Sequence, residues 1–202
     1  MSGVVSEAPK PLAKLRALPL AEVLGRATLP AAAVALVKGC ADVPAAIETL
    51  RSAEMLVEAT RLAAFALPRR EAVWWACMCA RAVPNGDASE DDMKALAAAE
   101  EWVRKQTDEV RRTAFAHAQT AGFATPEAWA GVAAFWSGDS LSPLGQPAVP
   151  PGAALAGTAT AGAVALASVR SKPERRLGRL ARFLDSAADI ANGGGGRLEP
   201  ET

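Results

Sequence analysis

Tyrosine is absent, histidine occurs once, and the charges cancel, with 22 basic against 22 acidic residues in a chain of 202. Each scarcity excludes something. With His117 as the single histidine, neither a two-histidine metal site nor a histidine relay can be built. A balanced charge gives no global field toward nucleic acid or an anionic membrane, so neither is expected as a partner. Cys40, Cys77 and Cys79 are an odd number of cysteines, and the opening MSGVVSEAPKP lacks the basic region and apolar stretch of a secretion signal. Together these predict reduced thiols and a cytoplasmic location. The sequence contains no G-x-S-x-G, no S-x-x-K and no glycine-rich phosphate loop. No catalytic residue, cofactor or metal is expected, and the protein is not expected to be an enzyme.

What is abundant is alanine, within an apolar half of the composition. Alanine costs no side-chain entropy in a helix, whereas the β-branched and aromatic residues that favour strands are thinly spread. The fold class predicted is all-α, a single globular domain of about seven to eight antiparallel helices, with HEAT-like hairpin stacking as one arrangement. Residues 1–10 are expected to be disordered and 11–192 to form the helical domain. Within it lie a main part (11–137), a Pro/Gly-rich crossover loop (138–152) and a C-terminal helical pair (153–192). Residues 193–202 are expected to be a flexible tail.

Caps and breakers place the helices. Asp42 with Pro44 opens a helix predicted to run to about Ala66. After Pro68, the segment 69–83 contains VWWACMCA, apolar on every side, and is predicted to be the central helix. PNGD at 84–87 marks a turn, and Ser89 before three acidic residues starts the next helix. Thr107 caps a helix with Val110, Ala114, His117, Ala118 and Ala121 inward, and Gly122-Phe123 ends it as a Schellman motif. Thr125-Pro126 opens a helix that carries Trp129, Val132, Ala133 and Trp136 on one face. Ala153–Val169 is apolar but short for a membrane span and rich in small residues, so a buried helix is predicted. Ser171 and Glu174 form a capping box for the last helix, with Leu177, Leu180, Ala181 and Leu184 inward.

Few groupings invite chemistry. Cys77-x-Cys79 has the wrong spacing for zinc or redox work and reads as core. Glu100 with Glu101, or Glu54 with Glu58, would be the carboxylates of a helical-pocket hydrolase or lyase. The expected partner-binding residues are Trp136, Leu141 and Leu144 at the proline loop, and Arg175, Arg176, Arg179 and Arg182 on the last helix. Guanidinium forks suit acidic protein surfaces.

The blocks EAVWWACMCARA, AAEEWVRKQTDEVRR and AGFATPEAWAGVAAFWSGDSLSP, with the ending RxxRFLDSAADIANG, resemble an uncharacterised bacterial helical family, a domain of unknown function. Many of its members are encoded near type VI secretion components. The resemblance covers about residues 65–192 and implies a genomic setting and no site residue. With many helices and no catalytic constellation, the function expected is that of a non-enzymatic interaction module, an accessory or adaptor protein of a type VI-like secretion system with a secretion component or effector as partner. The alternatives left open are the helical-pocket enzyme and an immunity-type inhibitor of a neighbouring toxin.

Overall fold

Prolines and capping side chains cut the chain where its helices begin. The computed structural model describes residues 12–84 and 88–201. The stretch 1–10 and most of the turn at 84–87 lie outside the described residues. Among those described, the protein has ten α-helices, two short 3-10 turns and no strand, in one globular domain. Pro19 and Pro30 precede α1 (Leu20–Ala27) and α2 (Ala31–Val37). Asp42 caps α3 (Val43–Ser52) by accepting from the Ala45 N–H.

The single helix expected over 42–66 is two. Glu54 takes a left-handed conformation at φ 59°. Around it the Met55 N–H donates to Leu50 O at 2.9 Å and the Glu54 N–H to Arg51 O at 3.0 Å. This pair of bonds is a Schellman ending with glutamate where glycine is usual, and α4 (Leu56–Ala66) starts afresh beyond it.

Helix α5 (Arg69–Ala82) is buried on nearly every side. Ser89 and Asp92 close a capping box on α6 (Glu90–Lys105), and Thr107 caps α7 (Asp108–Thr120). The Schellman ending expected at Gly122 is present, with the Phe123 N–H on Ala118 O at 3.2 Å. Thr125 caps α8 (Pro126–Trp136). After the proline loop come α9 (Leu155–Val169) and α10 (Arg176–Ala191). The capping box expected from Ser171 and Glu174 does not form. Ser171 itself is left-handed, at φ 56°, and a 3-10 turn, Pro173–Arg175, leads into α10 with no side-chain cap.

Two apolar clusters make the core. The first gathers α1–α4 and α10, and the second gathers α6, α7 and α8. Helices α5 and α9 belong to both. Trp75, Cys79 and Ala82 of α5 face the first cluster, while Val73, Cys77 and Met78 face the second. The small residues of α9 let it lie against α4, α5 and α8 together. A Cβ at Gly157 would stand 2.7 Å from the Phe65 ring, and one at Gly162 would stand 3.1 Å from Trp129. Gly131 brings α8 onto α7, since a Cβ there would lie 2.8 Å from the Ala114 carbonyl oxygen. None of the described helices is long and apolar enough to cross a membrane.

Candidate functional site

Arg175, Arg179 and Arg182 recur at the spacing of one helix face and are expected to bind a partner. Arg179 is nevertheless 2% exposed. The chain covers it. Residues 193–201, expected to be a flexible tail, run back along α10 toward the end of α5.

The glycines after Asn192 make that return possible. The Gly194 N–H donates to Asp189 O at 2.8 Å, and the Gly196 N–H to an Asp189 carboxylate oxygen at 2.7 Å. Gly196 has φ 62°, and a Cβ on it would meet Ile190 at 2.5 Å, so the turn tolerates no larger residue there. Trp74 Nε1 donates to Gly195 O at 2.8 Å, and Ser186 Oγ donates to Gly196 O at 2.6 Å. Leu198 packs on the first cluster.

The tail ends on a carboxylate seat. Arg179 reaches Glu201 through Nε at 3.0 and 3.1 Å and through its terminal nitrogen at 2.8 Å. Its other terminal nitrogen donates to Ser168 O at 3.1 Å and Arg170 O at 2.6 Å, satisfying carbonyls at the end of α9. Arg175 and Arg182 approach the same carboxylate at 3.4 and 3.5 Å. Arg182 also donates to Glu199 O at 2.6 Å. The Glu201 N–H donates to Ala82 O, the last carbonyl of α5, at 2.8 Å. Hydrogen bonds from Arg179 hold the Glu201 carboxyl below the usual glutamate value, outweighing the upward push of burial.

Arg176 stands apart from this seat. It is exposed and lies near Arg61 and Leu180. Leu177, expected inward, is 59% exposed, and Phe183 with Ile190 fills the inward face. The four predicted arginines therefore divide into one buried anchor, two rim residues and one outlier.

The proline loop is also pinned. Arg111, nearly fully buried, donates to Phe135 O at 3.1 Å and Ser140 O at 2.7 Å, and Arg112 donates to Ser142 O at 2.8 Å. Leu141 is half-buried and its N–H meets Val149 O at 2.8 Å. Leu144 is 76% exposed. Trp136 is half-buried, with its ring edge-on to Trp129 at 6.3 Å between centroids. Among the described residues no hydrogen bond or ion pair joins the loop to Arg175, Arg176, Arg179 or Arg182.

The remaining candidates are structural in their surroundings. Cys77 and Cys79 are fully buried, and desolvation pushes both thiols up. His117, expected inward, is half-buried with Nδ1 3.1 Å from Asp91. Glu100 meets Arg81 at 2.8 Å and Glu101 meets Lys105 at 2.6 Å, so the two carboxylates diverge. Glu54 occupies the turn between α3 and α4. A buried pair that no sequence motif marks, Glu127 and Arg170 at 2.8 Å, ties the first turn of α8 to the end of α9. A charge opposite a helix start, 43 residues away, leaves no local signal. Among the described residues no group of three or more His, Cys, Asp or Glu could hold a metal ion.

These features define an all-α domain whose last helix binds an acidic segment of its own chain. The chain belongs to the family of unknown function DUF6931, whose profile matches residues 46–191. The three arginines fall inside the match and Glu201 beyond it. No curated protein and no solved structure matches the chain.

Proposed function

We propose that the protein is a non-enzymatic interaction module that docks an acidic, extended protein segment on the arginine rim between α5 and α10. The observation that carries this reading is the convergence of Arg175, Arg179 and Arg182 on one carboxylate. A buried guanidinium needs an anion, because an uncompensated charge there costs about 3–5 kcal/mol. Three cations around one glutamate leave positive charge in surplus. That surplus sits on Arg175 and Arg182, whose side chains keep 46% and 39% of their surface exposed. Glu201 is thus an internal example of the ligand, and the rim has charge left for a second acid from a partner.

In this reading the protein works in the cytoplasm as an accessory or adaptor of a type VI-like secretion system. The partner is an acidic surface of a secretion component or its effector. The secretion setting comes from the family resemblance alone.

The test is affinity purification of the tagged protein from its bacterial host, beside Arg175→Glu/Arg182→Glu. Arg179 is left intact, because it anchors α9 and the tail. Circular dichroism verifies that the variant is folded. A stoichiometric secretion component retained by the wild type and lost by the folded variant supports the reading. Equal capture by both sinks the arginine rim.

A further inference from the structure

We propose that the cavity beside Trp74 is a binding site for a small ring-bearing anion, a carboxylate or phosphate joined to a planar ring. None of its lining residues belongs to the arginine seat, and it does not depend on the function proposed above. Its volume is about 320 Å³, at the lower end of ligand-pocket sizes.

Four elements and the tail turn build it. Lys14 comes from the first 3-10 turn, Arg70, Glu71 and Trp74 from α5, Arg104 from α6, Ile190 from α10, and Gly193–Gly194 from the turn after it. Trp74 supplies an aromatic wall. It is half-buried where the adjacent Trp75 is wholly buried. Its Nε1–H is already satisfied by Gly195 O at 2.8 Å, so the indole is held in place and asks no hydrogen bond of a ligand.

Charge decides the sign of the ligand. Three cations line the cavity against the single carboxylate of Glu71. Glu71 is engaged by Lys14 at 2.8 Å and its side chain is only 13% exposed. Arg70 spends Nε on Val103 O at 2.8 Å, the end of α6, which orients its guanidinium. Its terminal nitrogen keeps only a loose ion pair with Glu71 at 3.6 Å, beyond hydrogen-bonding distance. The guanidinium can therefore fork onto an incoming carboxylate or phosphate without giving up a hydrogen bond to Glu71. Arg104, exposed at the same cavity, adds the second cation. An aromatic wall beside two guanidinium groups fits a ligand that carries both a ring and a negative group.

The glycine turn is one wall, so an occupant bridges α5, α6 and the start of the tail. Its binding must then raise the melting temperature by linkage.

The test is calorimetric titration of the full chain with adenosine monophosphate, with benzoate and with inorganic phosphate. At least one ring-bearing probe is expected to bind with Kd below about 1 mM, and whichever binds tells nucleotide from aryl acid. Inorganic phosphate is expected to be at least about tenfold weaker, since it lacks the ring. Arg104→Gln, an exposed position, should weaken the ring-bearing probe by about fivefold or more while the apo melting temperature stays put. The proposal fails if neither ring-bearing probe binds at about 10 mM. It also fails if phosphate binds as tightly as they do, or if Arg104→Gln leaves affinity unchanged.

Discussion

A guanidinium that is almost wholly buried must find oxygens for its N–H donors, and Arg179 finds them on two sides. One terminal nitrogen closes the carbonyls of Ser168 and Arg170, and the rest of the fork holds Glu201. Arg179→Met should therefore cost about 2–4 kcal/mol in urea unfolding, because carbonyls and a carboxylate are left unpaired at once. Arg175→Gln on the rim should cost under about 1 kcal/mol, as exposed pairs do. Equal costs for the two would contradict the seat. Glu201 adds a pH signature. Its folded carboxyl lies below the unfolded value of about 4.3. Its contribution is therefore complete above that value and is lost as pH falls through the folded one. Wild type should exceed Glu201→Gln in stability at neutral pH, and the gap should close on acidification. A gap independent of pH would mean that the carboxylate charge is not what holds the tail. The spacing of the arginines was legible in the sequence, but their occupant was not. Glycine runs read as helix stops, and nothing local says that the chain then doubles back.

Helix boundaries follow the same division. Starts were legible because Asp42, Ser89, Thr107 and Thr125 each cap through their own side chain. The break between α3 and α4 was not, because it rests on a glutamate in a left-handed conformation, without glycine or proline to mark it. Glu54→Gly should raise stability by about 0.5–1 kcal/mol, since glycine takes that conformation without the Cβ penalty. Glycines inside helices divide by what surrounds them. At Gly178 in α10 no atom lies within 4 Å of a built Cβ, and alanine should stabilise by about 0.5–1 kcal/mol through helix propensity. At Gly131 the neighbour is the Ala114 carbonyl oxygen at 2.8 Å, which is backbone and yields only if α7 and α8 part. Gly131→Ala should lose about 1–2 kcal/mol despite the same propensity gain. Thermal melts of the pair should move in opposite directions. A shared direction would remove the close approach of α7 and α8 as an explanation. Sequence shows both glycines as equally unfavourable helix residues, and only packing tells them apart.

Two clusters joined by two shared helices behave differently from two domains joined by a linker. Because α5 and α9 each bury one side in each cluster, opening either cluster strips apolar partners from the other. The central role of α5 was legible from its unbroken apolar run. That of α9 was not, since a helix mostly of alanine, glycine and threonine, with no aromatic residue, shows no large anchor. Its part is to be thin enough for Phe65 and Trp129 to reach over Gly157 and Gly162. The protein should therefore unfold as one cooperative unit. In native-state hydrogen exchange, the slowest amides of α4 and α8 should open with the same free energy and the same denaturant dependence. A fragment ending at Ser137 keeps most of both clusters in sequence yet lacks α9 and α10. It should stay unfolded, because the groove between α4, α5 and α8 is then unfilled and the first cluster loses its α10 side. If that fragment folds, or if α8 opens far more readily than α4, the shared helices do not couple the clusters. The molecule would then be two packing units that touch.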